Sequence, residues 1–327
     1  MTSERYDLVT FGETMIRLTT TGGNRLETTG TLAVTIGGAE SNVCVALARL
    51  GRRVSWLSAL PDNPLGQRIF NELRGHGVDT SQVLWSDTHR AGVYFMETGA
   101  RPRPTRVTYD RAGSVVAMLE ADAIDTGLVV NARALHLTGI TPALSENCAA
   151  ICQRLAGAAV AAGVPLILDV NYRSLLWTPE EAARGLDDLC QQATVLLCGA
   201  NDAQTVWGLS GQPSDVSRGL LDRSGAELAV VTLGESGVCA INRAGDVFEQ
   251  PSLAVDIVDP VGAGDAFAAG FLHAWLEDRD NIPSSLRSGV ALAALSMTIP
   301  GDLAIITLAD LAAALDLLEG GGADIVR

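Results

Sequence analysis

The segment Asp259-Pro-Val-Gly-Ala-Gly-Asp-Ala-Phe-Ala-Ala-Gly-Phe271 carries more information about this chain than any other stretch of its sequence. Gly262 and Gly264 allow the backbone to approach a ligand closely, and the apolar residues that follow predict a buried helix. A helix that begins at this turn directs unpaired N–H groups and a partial positive charge towards its ligand. The segment therefore predicts an anion-binding turn that opens into a helix.

Asp265, at the end of this turn, has two candidate roles. It caps the helix, or it accepts a proton from an attacking hydroxyl. Because helix N–H groups stabilise a carboxylate, we expect the pKa of Asp265 to lie below its usual value. In a loose phosphoryl-transfer transition state the proton leaves late, so orienting the hydroxyl would matter more than basicity.

Outward from this segment, short apolar runs alternate with helical patterns. After a first strand over 6–11, the runs predicted to form buried strands of a largely parallel sheet are 54–60, 134–137, 165–170, 195–198 and 228–233. The helical patterns cover 41–50, 145–162, 179–192 and 214–221. This alternation predicts an α/β fold.

Two regions, 15–36 and 92–109, interrupt the alternation because they alternate apolar with polar residues and carry turn residues. We expect them to pair as a small β-sheet lid, formed by about 13–36 and 91–111, over a single α/β domain that spans 1–327. The alternative is a pair of separate surface hairpins on the main domain.

The composition excludes several partners and chemistries. The chain has 23 arginines, no lysine and 38 acidic residues, for a net charge of −15. We expect no nucleic-acid partner, because that affinity needs clustered positive charge. Without lysine, Schiff-base aldolases, pyridoxal enzymes, Walker-A nucleotide hydrolases and the protein-kinase scheme are excluded. Any phosphate must be bound by backbone N–H groups, a metal or arginine.

Neither a membrane span nor a disulfide framework is predicted. No apolar run approaches the roughly 18 residues of a span, and the N-terminus lacks a basic-then-apolar signal. We therefore expect a cytoplasmic protein without a membrane partner. The six cysteines form no Cys-x-x-Cys pair, which argues against a zinc knuckle or a redox motif.

Two segments near opposite ends of the chain resemble the signatures of one enzyme family. Segment 259–271 is similar to the second signature of the ribokinase-type, or PfkB, carbohydrate kinases, and segment 37–51, which begins Gly37-Gly-Ala-Glu-Ser-Asn42, resembles the first. The resemblance implies a doubly wound, mostly parallel sheet with helices on both faces and a small β-sheet lid. It also implies ATP and Mg²⁺, and leaves dependence on a monovalent cation such as K⁺ open.

The resemblance assigns roles to individual residues. Asp265 would orient and deprotonate the acceptor hydroxyl. The residues expected against the sugar hydroxyls are Gly37, Gly38 and Asn42. The residues whose N–H groups would stabilise the transferring phosphoryl group are Gly262, Ala263 and Gly264. The residues expected near ATP are Asn201, Thr232, Gly234 and Gly237, together with Gly262 and Gly264.

The chain departs from the family pattern at two positions. Gln204 stands where the family commonly has a glutamate that helps to organise magnesium, so the metal ligands stay undetermined, with Asp202 as an alternative. Pro260 stands where threonine is frequent. It removes one backbone donor but not the anion-binding turn.

Arg111 and Arg173 indicate the substrate class. Arg111 precedes the flexible Ala112-Gly-Ser114, and Arg173 follows the carboxyl end of a strand, where open α/β sheets bind ligands. Two convergent guanidinium groups suit a carboxylate. These segments, together with 297–302, resemble the 2-keto-3-deoxygluconate kinase branch of the family. In that branch two tyrosines and two arginines hold the keto acid, and here these would be Tyr94, Tyr109, Arg111 and Arg173.

The reaction implied by the resemblance converts ATP and 2-keto-3-deoxygluconate to ADP and the 6-phosphate. The galactonate epimer would serve as well, since one inverted hydroxyl changes few contacts. A fructose or ribose kinase of the same family is the next alternative, and a sugar- or nucleotide-binding regulator without turnover is a further one. The apolar strands of the lid predict a homodimer formed through it.

Overall fold

The computed structural model describes residues 5–99 and 102–320, so the predicted domain 1–327 and the predicted lid segment 91–111 each include residues outside this part. Thirteen strands lie in the described residues, and none of their helices is long and apolar enough to cross a membrane. The strands are β1 (Leu8–Phe11), β2 (Met15–Thr20), β3 (Leu32–Gly37), β4 (Val54–Pro61), β5 (Val83–Ser86), β6 (Val93–Glu97), β7 (Arg106–Asp110), β8 (Leu135–Thr138), β9 (Leu166–Asp169), β10 (Val195–Gly199), β11 (Leu228–Thr232), β12 (Val238–Asn242) and β13 (Val247–Gln250).

Nine α-helices lie in the same described ranges. They are α1 (Ala39–Arg49), α2 (Pro64–Gly75), α3 (Glu146–Ala161), α4 (Pro179–Gln192), α5 (Ala200–Trp207), α6 (Pro213–Asp222), α7 (Ala263–Trp275), α8 (Ile282–Ser296) and α9 (Leu308–Leu318). Several begin at side chains that accept a backbone N–H, as Ser145 does from Cys148 at the start of α3.

The main sheet has nine strands in the order β13-β12-β11-β10-β9-β8-β1-β4-β5. Every pairing from β11 to β5 is parallel, and β12 and β13 form an antiparallel edge. The strand order reverses between β1 and β8, which is where open α/β sheets bind their ligands. The prediction of a doubly wound, mostly parallel sheet is confirmed.

Helices cover both faces of this sheet, because successive residues of a strand point to opposite sides. Leu8 and Trp56 pack on one face in a core with helices α1, α2, α7, α8 and α9. Val9 and Leu137 pack on the other face with α3, α4, α5 and α6. Two apolar cores therefore fix the carboxyl ends of β1 and β8 side by side.

The two interrupting regions form a separate sheet of four strands, in the order β3-β2-β6-β7, which we call the small sheet. β2 pairs antiparallel with β3 and parallel with β6, so the segment near residue 16 pairs with the segment near residue 93. The expectation that the two regions pair with each other is confirmed, and the alternative of two separate hairpins is wrong.

Candidate functional site

Two cavities meet at the start of α7. The inner cavity, of about 90 Å³, lies between the small sheet and the main sheet and is lined in part by Gly262 and Asp265. The outer cavity, of about 540 Å³, lies between the β11–β12 turn, segment 252–257 and helices α7 and α8, and is lined in part by Ala263 and Gly264. Ligands in the two cavities would face each other across the predicted anion-binding turn.

Nearly all of the predicted site residues line these cavities. Those around the inner cavity are Gly37, Gly38, Asn42, Tyr94, Tyr109, Arg111, Arg173, Gly262 and Asp265. Those around the outer cavity are Thr232, Gly234, Gly237, Ala263 and Gly264. Asn201 lines neither cavity and is exposed in the first turn of α5.

Gly262 gives the anion-binding turn its shape. Its φ is +84°, in the left-handed region, and a Cβ there would overlap the carbonyl oxygen of Asp302. Within the described residues, the backbone N–H groups of Gly262, Gly264 and Asp265 make no hydrogen bond. Apart from its chain neighbours and the backbone of its own helix, no atom lies within 4 Å of the place where a Cβ on Gly264 would stand. The turn thus offers open space and unpaired donors to an anion.

Asp265 differs from its predicted acidity. Asn42 donates from Nδ2 to its carboxylate at 2.7 Å, and the side chain is buried. Burial raises the pKa of Asp265 to about 7, although the Asn42 bond and the charge of Arg173 lower it. The expected pKa below the usual value was wrong, because loss of hydration outweighs the facing donors. A carboxylate with a pKa near neutrality is a competent general base.

Two glycines before α1 allow the small sheet to approach the turn. A Cβ on Gly37 would overlap the carboxylate of Asp302 and the hydroxyl of Tyr94, and one on Gly38 would overlap the carbonyl oxygen of Glu13. At Gly38 the neighbour is backbone, so only glycine fits there, whereas at Gly37 a larger residue would displace the two side chains. The first signature therefore shapes the wall of the inner cavity as well as presenting Asn42.

Arg111 is held by Glu13, which follows β1. Its Nε donates to Glu13 Oε2 at 2.8 Å, and its Nη2 donates to the same oxygen at 2.5 Å. The guanidinium also lies 5.7 Å from the ring centroid of Tyr109, which packs at 5.8 Å from the ring of Tyr94. Because one edge of the guanidinium is used, the edge formed by Nη1 and Nη2 keeps its donors for a ligand.

Arg173 is exposed in the loop after β9, and its side chain makes no hydrogen bond or ion pair with the residues that the structure describes. Its charge lowers the pKa of Asp265, Asp169 and Asp202, so it lies close to all three carboxyls. With Arg111 it lines the inner cavity. The two guanidinium groups can therefore act on one anionic ligand.

Sequence reasoning missed a buried ionic network that joins the small sheet to the turn. Arg17 of β2 donates from Nη2 to Asp259 and from Nη1 to Asp302, and Tyr94 donates to the other Asp302 oxygen at 2.6 Å. Asp259 in turn accepts from the backbone N–H groups of Val261 and of residue 301. A signal did exist, since a charged residue at position 17 interrupts an apolar strand, but no residue spacing in the sequence identifies its partners.

A second group of carboxyls lies beside Asp265. Burial raises the pKa of Asp169 to about 8, with the negative charges of Asp265 and Asp202 adding to the effect. Burial also raises the pKa of Asp202, although its Oδ2 accepts the Tyr172 N–H at 3.2 Å. Gln204, on the same helix, is exposed. Hard cations prefer carboxyl oxygens, but the described residues contain no group of three or more His, Cys, Asp or Glu side chains that could hold a metal ion.

The outer cavity has a polar end and an apolar end. Thr232 closes β11, and the positive φ of Gly234 and Gly237, +60° and +97°, turns the chain into β12. Phe267 and Met297 are among the apolar residues at the wall formed by α7 and the end of α8. A flat apolar ring fits such a wall, with polar groups directed to the start of α7.

Comparison with known proteins gives a consistent result. A family model described as the pfkB family carbohydrate kinase matches residues 5–307. The chain is 42% identical to a 2-dehydro-3-deoxygalactonokinase of Haloferax volcanii over 321 residues, which cover 98% of this chain and 99% of that protein. It is 32% identical to a 2-dehydro-3-deoxygluconokinase of Thermoproteus tenax, over 90% of this chain and 89% of that protein.

A solved structure agrees with these relatives. The crystal structure of 2-dehydro-3-deoxygluconokinase from Thermotoga maritima is similar to this fold with a TM-score of 0.88 and 30% identity, covering 96% of this chain and 99% of that one. Relatives that act on the gluconate and the galactonate acids thus both match nearly the whole chain.

Proposed function

This chain belongs to the pfkB family of carbohydrate kinases, and we propose that it transfers the γ-phosphoryl group of ATP to the 6-hydroxyl of a 2-keto-3-deoxy sugar acid. The observation that carries the proposal is the position of Asp265. Its carboxylate lines a cavity bordered by Arg111 and Arg173, and Gly264, whose N–H group is unpaired among the described residues, lines a second, larger cavity. An acceptor and a phosphate donor would meet at this turn.

The residues of the turn supply the chemistry. The hydroxyl oxygen of the acid attacks the γ-phosphorus, the bond from phosphorus to ADP breaks, and Asp265 takes the hydroxyl proton. The charge on the transferring oxygens is stabilised by the N–H groups of the turn and by the start of α7. Asn42, at 2.7 Å from Asp265, orients the base.

ATP would occupy the outer cavity, with its ring against Phe267 and Met297 and its phosphates towards Gly264. Magnesium, when bound with ATP, would offset the negative charge of those phosphates, since Mg²⁺ prefers substrate phosphates, water and one or two carboxylates to a complete protein cage. Asp202 and Asp169 are the carboxylates of this chain that fit such a role, in place of a glutamate at position 204.

The sugar acid would bind with its carboxylate on Arg173 and on the unused edge of Arg111. Tyr94 and Tyr109 would form the side of the cavity that belongs to the small sheet, so this sheet would act as the lid. The edges of the same sheet are β3 and β7, where Val34 is 40% exposed, and a second copy could pair there to form a homodimer.

The test measures ADP release by purified protein with magnesium and ATP, with the gluconate acid, its galactonate epimer, fructose and ribose as acceptors. We expect turnover with one or both acids, little with the neutral sugars, and loss of turnover in Asp265→Asn. Preference for a neutral sugar would reject the acid assignment and keep the kinase. Binding of ATP and sugar without turnover would instead support a regulator.

A further inference from the structure

Glu13 has a carboxylate oxygen that no protein group uses. Its side chain is 2% exposed and lines the inner cavity. Arg111 donates twice to Oε2, whereas Oε1 is buried and has no hydrogen-bond partner. On one side Gly92 lies so close that an added Cβ would stand 2.8 Å from Oε1. The free oxygen therefore lies in a confined place at the wall of the cavity.

An unpartnered buried carboxylate oxygen is costly, and most buried polar atoms in folded proteins have a partner. A structural role in holding Arg111 needs only the Oε2 interaction. The orphan oxygen instead suits a site in which the missing hydrogen-bond donor arrives with the ligand.

The ion pair also fixes which part of the ligand Oε1 would meet. Glu13 accepts from the Nε edge of Arg111, so its carboxylate lies against the guanidinium that is proposed to bind the acid carboxylate. Asp265 lines the same cavity and, in the proposed function, faces the terminal hydroxyl that is phosphorylated. The contact with Arg111 therefore assigns Oε1 to the carboxylate end of the bound molecule.

In a 2-keto-3-deoxy acid, carbon 2 carries the ketone and carbon 3 carries no oxygen, so the hydroxyl nearest the carboxylate is on carbon 4. The gluconate and galactonate acids are epimers at this carbon. We propose that Glu13 is a specificity-determining residue whose Oε1 accepts a hydrogen bond from the carbon-4 hydroxyl of one epimer. This inference rests on the proposed function, because it takes the acid as the ligand of the inner cavity.

The test compares wild type and Glu13→Gln in kcat/KM for both epimers, with magnesium and ATP. Arg111 will take the single amide oxygen of glutamine, so an N–H donor will replace Oε1. We expect kcat/KM for the preferred epimer to fall about 10- to 100-fold, as for loss of a charge-assisted hydrogen bond. The other epimer should lose much less, so the ratio between epimers should fall about 10-fold.

Glu97→Gln is the matched control, because Glu97, at the end of β6, is also paired with an arginine, Arg103, but lines neither cavity. It should leave the epimer ratio unchanged. If Glu13→Gln fails to fold, Glu13→Asp keeps the charge but withdraws the oxygen by one methylene, and the same fall in ratio is expected.

The outcomes separate this inference from the proposed function. Equal losses for both epimers would mean that Glu13 acts only by holding Arg111, which overturns the proposed contact. Unchanged kinetics would overturn it as well. Failure of the wild type to phosphorylate either acid would reject the proposed function, and the inference with it.

Discussion

Replacing Arg17 by methionine removes the positive charge that Asp259 and Asp302 share inside the protein. The Arg17 side chain is 2% exposed and each aspartate side chain 8% exposed, so water cannot replace the guanidinium. Removing one partner of a buried pair costs about 3–5 kcal/mol. The fall in Tm is this free energy divided by the entropy of unfolding, which is about 2.1 cal/mol/K per residue. For 327 residues the entropy is about 0.7 kcal/mol/K, so Tm should fall by about 4–7 °C.

The test measures Tm by calorimetry for wild type, for Arg17→Met and for the control variant Arg90→Met. Arg90 pairs with Asp110 on the same small sheet, but those side chains are 44% and 63% exposed, so the control should cost about 0–1 kcal/mol. Burial already raises the pKa of Asp302, and losing Arg17 raises it further. Because an acid with a raised folded-state pKa loses stability as pH rises, the deficit should be larger at pH 8 than at pH 5. Equal Tm losses in the two variants would refute the network's role.

Four further predictions concern the site. Asp265→Asn should lower kcat about 10²- to 10⁴-fold in a coupled ADP assay while ATP still binds, and loss of ATP binding would contradict a role as base. Since the pKa of Asp265 is raised to about 7, kcat/KM should rise with pH up to about 7 and then level off. A profile that already levels off above about pH 4 would instead indicate an exposed base with an ordinary carboxyl pKa. Gly264→Ala should keep Tm but lower kcat/KM about 10- to 100-fold, because the added methyl group enters the open space at the turn that the phosphates would occupy. The control is Gly157→Ala in α3, where the added methyl group also meets open space and activity should stay unchanged. Arg173→Met should raise KM for the acids about 10- to 100-fold and leave KM for the neutral sugars unchanged, and an equal rise in KM for both would contradict carboxylate binding.

The sequence predicted those parts of the molecule that depend on local pattern. The main-sheet strands follow apolar runs, and α4 has the predicted bounds 179–192 because Thr178 and Glu181 form a capping box at its start. α1 begins at Ala39 rather than 41, since the extended Gly38 serves as its N-cap. Local rules identify such elements because the interactions that define them join near neighbours.

The missed features depend on contacts between distant segments. Arg17 is separated by 242 and 285 residues from the two aspartates that it binds, so no spacing rule pairs them. The pKa of Asp265 was predicted in the wrong direction for a related reason. The helix start is visible in the sequence, whereas burial depends on the small sheet closing over the turn, which only the assembled fold provides.

The charges of the inner cavity explain how an acidic protein could accept an anionic sugar. Asp302 is paired with Arg17, and Glu13 is paired with Arg111. Burial raises the pKa of Glu40, whose Oε1 accepts from two threonine hydroxyls, and this favours its neutral form. Arg173 is left without an ion pair among the described residues. An incoming carboxylate would therefore meet a guanidinium that forms no ion pair with the described residues, and its charge also holds Asp265 closer to its deprotonated, reactive form.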